Sequence, residues 1–144
     1  MSFARVALAV TTAMHELAVR EAVPLLTVAD FQAMRQANTR FAAAVETGDA
    51  EAAIRADEEF HAITVTASGN AALRTVLEQF TPPLLRAARL RFSSPSGHDA
   101  VVQHSHMIER GESGDVDAAV AATRAHWQEL APLLGRPLAG PATT

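Results

Sequence analysis

The chain has 144 residues, a length that suits a single domain with its own hydrophobic core. It contains no cysteine and no lysine, which excludes disulfides, thiolate chemistry, Schiff-base lysines and the Walker-type phosphate loop. A formal net charge of −4 argues against binding of a nucleic-acid backbone by this domain.

Between clusters of glycine and proline, the apolar residues recur three and four positions apart, a spacing typical of helices that bury one face. This pattern predicts seven helices, at about 3–21, 27–47, 49–67, 70–80, 82–92, 98–111 and 115–134. No alternating strand pattern of useful length interrupts them. We therefore predict an all-α domain, an antiparallel helical bundle of six to seven helices, over residues 1–134.

Capping residues and turn signals indicate where these helices begin and end. Thr27 and Asp30 have the capping-box spacing, and Asp49 and Asn70 can each cap the helix that follows. The segment SSPSG, at 93–97, is the main predicted internal loop. We expect the C-terminal tail, 135–144, to be flexible because it contains two prolines and no helical pattern.

The apolar residues do not form a run long enough to cross a bilayer. They account for 49% of the chain but never extend over 18 consecutive positions. The N-terminus also lacks the basic and apolar blocks of a signal peptide. We therefore expect no membrane span and a cytoplasmic location.

The third predicted helix contains a pair of metal-ligand side chains. Asp57 and His61 are four residues apart, so they project from one face of the helix about a turn apart. Phe60 and Ile63 flank them and indicate that this face borders the core. A simple hydrogen bond between the two side chains is the alternative interpretation.

A second pair of histidines flanks the last predicted turn. His104 lies eleven residues before Asp115 and His126 eleven after it, so a helical hairpin would bring both to similar heights. His106 is a rival for His104, but two residues along a helix rotate the side chain by about 200°, so one of them faces outward. We assign surface roles to the other histidines: His15, His98 and His106.

Five short segments form an ordered set that is more specific than any one of them. They are DEEFH at 57–61, SGN at 68–70, HSHMI at 104–108, GD at 114–115 and RAH at 124–126. Together they resemble the FCD domain, the all-helical C-terminal effector-binding domain of FadR-type transcription regulators in the GntR family. The resemblance extends over about residues 3–130 and implies a bundle like the FadR C-terminal domain.

The resemblance also implies a divalent metal ion bound by one aspartate and three histidines, which fall on Asp57, His61, His104 and His126. Zinc is favoured, and nickel, manganese and iron stay open, because imidazole and carboxylate ligands suit all of them. A small organic acid effector would complete the coordination through its carboxylate. Dicarboxylates, sugar acids and hydroxy acids all stay open.

Further contacts to the effector are predicted for four polar side chains. Arg5 matches a first-helix arginine of the family, Arg86 and Arg89 lie three apart on the fifth helix, and Asn70 belongs to the matching SGN turn. Each arginine could instead be a solvated surface residue. Because FCD domains commonly pair, we also expect a homodimer.

We predict a non-enzymatic ligand sensor that does not bind DNA by itself, because the chain contains no winged helix-turn-helix. Whether it is a fragment or a stand-alone domain stays open. One alternative is a metal-dependent enzyme acting on a small carboxylate, although helical geometry turns Glu58 and Glu59 about 100° and 200° from Asp57. The other is a metal-free interaction module with hydrogen-bonded histidines.

Overall fold

The computed structural model describes residues 2–135, so most of the predicted flexible tail lies outside the described residues. Seven α-helices follow one another: α1 (Phe3–Ala22), α2 (Val28–Thr47), α3 (Ala50–Ser68), α4 (Ala71–Phe80), α5 (Leu85–Phe92), α6 (Ser96–Glu112) and α7 (Val116–Gln128). Short 3-10 turns lie at Val23–Leu25, Pro82–Leu84 and Ala131–Leu133. The predicted all-α fold is confirmed. None of the helices within residues 2–135 is both long and apolar enough to cross a bilayer.

Side-chain caps hold the helix ends at the predicted positions. Thr27 and Asp30 form the capping box, each side chain accepting a hydrogen bond from the backbone N–H of the other. Asp49 and Asn70 accept bonds from the first turns of α3 and α4. Gly48 ends α2 in the left-handed region, with φ of 75°.

Three predicted boundaries are wrong. The fifth helix begins at Leu85 instead of 82, because Pro82–Leu84 form a 3-10 turn. α6 begins at Ser96 because Gly97, interpreted as a loop residue, is helical and packs closely on Phe92. A Cβ at this glycine would lie 3.1 Å from the Phe92 carbonyl oxygen. α7 ends at Gln128 instead of near 134, because Pro132 has no N–H to continue the helical bonding.

The helices pack so that α1, α3, α6 and α7 approach the centre of the molecule. α1 packs against α7, α3 and α4, while α2 packs against α3 and α6, and α6 packs against α7. Turns of two or three residues join α2 to α3 and α6 to α7, so each pair runs antiparallel. The buried rings of Phe41, Phe60 and Trp127 surround the histidines at this centre.

Candidate metal centre

Four ligand-type side chains from three helices meet in the core. Asp57 and His61 lie one turn apart on α3, His104 lies on α6 and His126 on α7, and all four are buried. One donor atom from each lies within 4.8 Å of those of the other three. The structure therefore brings together the four residues that the sequence pointed to as a metal site.

The Asp57 Oδ1 atom is the common point of the cluster. His104 Nε2 lies 2.9 Å from it, His61 Nε2 3.1 Å and His126 Nε2 3.4 Å. Metal–ligand bonds of about 2.0–2.2 Å place neighbouring ligand atoms about 2.9 Å apart in an octahedron and about 3.4 Å apart in a tetrahedron. The three distances from Asp57 Oδ1 are therefore in the range expected between ligands of one small cation.

The neighbours of His104 determine which of its nitrogens carries the proton. Asn38 Nδ2 donates to the Val101 carbonyl at 3.1 Å and to the Ser105 hydroxyl at 3.2 Å. Because a carbonyl only accepts, the amide oxygen of Asn38 must be the atom that lies 2.9 Å from His104 Nδ1. Nδ1 therefore donates to Asn38, and Nε2 presents its lone pair to Asp57.

Arg91 and Gln103 orient His126 in the same way. The Arg91 guanidinium donates to Gln103 Oε1 at 2.8 Å and to the His126 carbonyl at 3.1 Å. The Gln103 oxygen also lies 3.1 Å from His126 Nδ1, which therefore donates to it. Arg91 Nη1, which can only donate, lies farther from the same Nδ1, at 3.3 Å, so the shorter contact with the Gln103 oxygen favours a proton on Nδ1. His126 Nε2 thus also presents a lone pair to the cluster.

The cluster consequently contains more acceptors than protons. The carboxylate of Asp57 and the Nε2 atoms of His104 and His126 all direct lone pairs at one buried point, and His61 Nε2 can contribute one proton at most. Buried lone pairs that face each other without a hydrogen between them are unfavourable. A divalent cation would bind all of them, so the donor set fits a metal ion.

Burial keeps His104 and His126 neutral. Desolvation lowers the pKa of His104 to about 4 and the pKa of His126 to about 3, although the Asp57 carboxylate, to which each ring would donate a hydrogen bond once protonated, opposes the shift. Burial alone would raise the pKa of Asp57, but its interactions with the histidines outweigh that effect and hold this pKa well below its usual range. Neutral imidazoles and an ionised carboxylate are the forms that bind metals.

A cavity of about 270 Å³ adjoins the cluster, and Asp57, His61 and His126 form part of its wall. Exposed charged side chains, Glu58 among them, also line it, so the cavity reaches solvent. Much of the remaining wall is apolar and comes from α3, α4, α5 and the turn before α5: Ile54, Val65, Leu77, Leu84, Leu85 and Phe92.

Arg91 adds a buried positive charge to the cavity wall. Its side chain is only 1% exposed, and its partners are neutral: the Ser96 hydroxyl, the Gln103 amide and the His126 carbonyl. No carboxylate within residues 2–135 lies at ion-pair distance from it. These bonds use three of its five N–H groups. An anion in the cavity would therefore meet a buried cation that has no ion-pair partner among the described residues.

His15 is not at the surface as predicted but forms part of the cavity wall. Its ring stacks on Trp127 with centroids 4.4 Å apart, and it lies 5.2 Å from the ring of His61. Burial lowers its pKa well below the usual value. His15 Nδ1 and Trp127 Nε1 have no hydrogen-bond partner in the described part of the chain. The prediction failed because the packing of α1 on α7 decides which face of α1 is buried.

Glu58 also departs from its predicted position. The expected rotation away from Asp57 does not take it out of the cavity, because the cavity extends along α3 past the metal cluster. Partial burial, with a smaller contribution from the nearby charge of Asp57, raises the pKa of Glu58. Glu59 does face outward, where it pairs with Arg40.

The four side chains predicted to contact an effector do not line this cavity. Arg5 and Arg86 are exposed, Arg89 pairs with Glu51 on α3, and Asn70 caps α4. Their exposure follows from the faces that α1 and α5 bury, which the arginine spacing alone does not reveal. A role for them in effector binding stays a prediction without support from the cavity.

Sequence reasoning missed three side chains around the cluster: Arg91, Asn38 and Gln103. Arg91 lies four residues after the buried Ala87, on the inner face of α5, so helical periodicity could have distinguished it from Arg89. Asn38 and Gln103 gave no such signal, because their pairing with histidines depends on how α2, α6 and α7 pack together.

We predict that Asn38→Ala lowers the affinity for zinc by about 10–100-fold, because His104 loses the acceptor that holds its Nδ1 proton. Competition with a chelating dye measures the effect. Asn70→Ala is the matched control: it removes the α4 cap and costs about 1 kcal/mol of stability, but it should leave the affinity unchanged. Equal losses in both variants would refute the specific role of Asn38.

We also predict that the metal-free protein loses stability between pH 6.5 and pH 4. The pKa values of His104 and His126 lie below 6.5 in the folded state, so the unfolded chain binds more protons in this range. Their contribution to the free energy of unfolding is complete above pH 6.5. As the pH falls below 6.5, it declines by about 1.4 kcal/mol per pH unit for each histidine. Urea unfolding after chelation measures this slope, and a flat profile would contradict it.

Comparison with known proteins is consistent with this geometry. A sequence model of the FCD domain matches residues 7–129, a span that includes all four residues of the cluster. A comparison with curated proteins finds no match. Since the FCD domain match covers well over half of the chain, the predicted family is confirmed. The chain belongs to the FCD domain family.

Proposed function

We propose that this domain senses a small organic acid through a divalent metal ion bound in its core. Asp57, His61, His104 and His126 would hold the ion, with zinc favoured and nickel, manganese or iron as alternatives. Bound there, the ion would supply an electropositive centre that a carboxylate can coordinate. The family match supports a regulatory, ligand-sensing role in regulators of the GntR family.

The convergence of lone pairs in the cluster is the observation that carries this proposal. Asn38 and Gln103 hold the Nδ1 protons of His104 and His126 on the far side of each ring. A metal-free module with hydrogen-bonded histidines would need protons between these rings and Asp57, and these two tautomers provide none. Fixing ring tautomers from outside is how proteins commonly orient histidine ligands.

The charge of the site favours an anionic ligand. A dication bound by neutral imidazoles and one carboxylate keeps about one positive charge. Arg91, buried beside His126 without an acidic partner among residues 2–135, adds another. A carboxylate in the adjoining cavity would neutralise part of this charge, so its binding would be coupled to the metal.

The position of Glu58 in the cavity wall supports the alternative of a metal-dependent enzyme, which the sequence pattern alone disfavours. Glu58 lines the cavity, and its raised pKa brings it closer to the range of a general base. It is exposed, however, and the match to a regulatory domain family favours sensing. If zinc-loaded protein consumes an added acid and the acid persists after chelation of the zinc, the enzymatic alternative is favoured.

The sensor would act through partners. We propose that the domain forms a homodimer in the cytoplasm and influences DNA only through a winged helix-turn-helix domain, in the same or a separate chain. The negative formal charge agrees with DNA binding by a separate domain, because it disfavours direct contact of this domain with phosphates. A bound acid would change the equilibrium between conformations by its different affinity for each.

We predict that replacing both His61 and His126 by alanine abolishes zinc retention and the stabilisation by added acids. In the unaltered zinc-loaded protein, an acid at 100 times its Kd adds about 2.7 kcal/mol. Elemental analysis and thermal unfolding with acetate, hexanoate and succinate measure the two effects. His106→Ala, which alters an exposed histidine of α6, should change neither. Acid-dependent stabilisation of the double variant would disprove the metal-centred proposal.

A further inference from the structure

The charged groups of the cavity are not distributed evenly. Asp57 and Arg91 are its buried charges, and both contact His126 at one end of the cavity, the metal end. Their charges balance, so a bound divalent ion would give this end a net charge of about +2. A carboxylate would have its strongest partners at this end, in a bound metal ion and in the N–H groups of Arg91 that have no acceptor among residues 2–135. The rest of the cavity must then accommodate the body of the ligand.

The remaining wall offers few hydrogen bonds to that body. Aliphatic side chains and Phe92 dominate it, and its buried polar atoms without partners in the described chain are His15 Nδ1 and Trp127 Nε1. Thr81 adds one hydroxyl. These groups could serve one ligand oxygen, and the other polar side chains of the wall, Glu58, Arg74 and Glu78, are exposed on its solvent side. A row of hydroxyls, as on a sugar acid, would therefore lack partners in the buried part of the cavity. Each buried hydroxyl left without a partner would weaken binding.

The solvent side of the cavity disfavours a second carboxylate. Glu58 and Glu78 line it together with a single arginine, Arg74, so these side chains carry a net negative charge. Arg74 already donates a hydrogen bond to the Thr66 hydroxyl. A dicarboxylate that reaches from the metal end towards solvent would bring its second carboxylate towards this acidic rim.

The cavity volume limits the size of the ligand. Since a cavity of about 150 Å³ holds benzene, a volume near 270 Å³ corresponds to about 11 non-hydrogen atoms. We infer that the effector is a monocarboxylate with an apolar body of this size or smaller. The inference rests on the proposed function, because the carboxylate needs the metal end, and it deepens that function by naming the class of acid.

Three acids with six carbons test the inference in the zinc-loaded full chain. Hexanoate has one carboxylate and an apolar chain, adipate has a second carboxylate, and gluconate has five hydroxyls. We expect hexanoate to bind at least tenfold more tightly than adipate or gluconate by calorimetry, and hexanamide to bind at least tenfold more weakly than hexanoate. Adipate or gluconate binding as tightly as hexanoate would overturn the inference and leave the proposed function intact. If no acid binds, acetate included, the proposed function itself fails.

Ala88→Leu examines where the apolar body lies. Ala88 is half-buried on α5 and lines the cavity, so the larger side chain should occupy the space of the hexanoate chain. We expect at least a tenfold loss of hexanoate affinity, with acetate affinity and zinc content unchanged. Ala43→Leu, at an exposed position on α2, is the matched control and should change neither. Equal hexanoate affinity in both variants would overturn the inference. Should Ala88→Leu fail to fold, the three acids in the unaltered protein decide the question alone.

Discussion

The mutual repulsion of lone pairs at one buried point is the interaction on which the centre of this domain depends. Asp57 and two histidines of fixed tautomer direct acceptors at each other from α3, α6 and α7. Packing of the apolar faces draws these helices together, while the facing acceptors oppose the approach. A bound cation would turn this unfavourable contact into a link between the three helices, so metal binding and the packing of the core are coupled.

Arg91 connects this cluster to the cavity. It orients His126 through Gln103 and through the His126 carbonyl, and the same guanidinium adds positive charge to the cavity wall. Burying a guanidinium without an acidic partner costs stability, and the described residues provide only neutral acceptors for it. A side chain with this cost is more readily explained by an anionic ligand than by the packing of α5.

The sequence predicted the features that depend on neighbouring residues and missed those that depend on packing between distant helices. The capping box of Thr27 and the pairing of Asp57 with His61 follow from separations of three and four residues, and both were predicted. The burial of His15 could not be predicted, because its own helix gives no sign that α7 places Trp127 against it. Helical periodicity does place Arg91 on the buried face of α5, four residues after Ala87, whereas the predicted arginines of that helix lie on its exposed face.

The position of the cavity determines which part of the fold a bound acid would affect. α3 forms one side of it through Ile54 and Val65, and α4 forms another through Leu77. Besides bordering the cavity, α4 packs on α1 and on the turn Pro82–Leu84. A ligand changes a conformational equilibrium only through its different affinities for the two states. An apolar body in this cavity would contact α3 and α4 together only while α4 covers it, so its binding energy would favour that arrangement over any in which α4 is displaced.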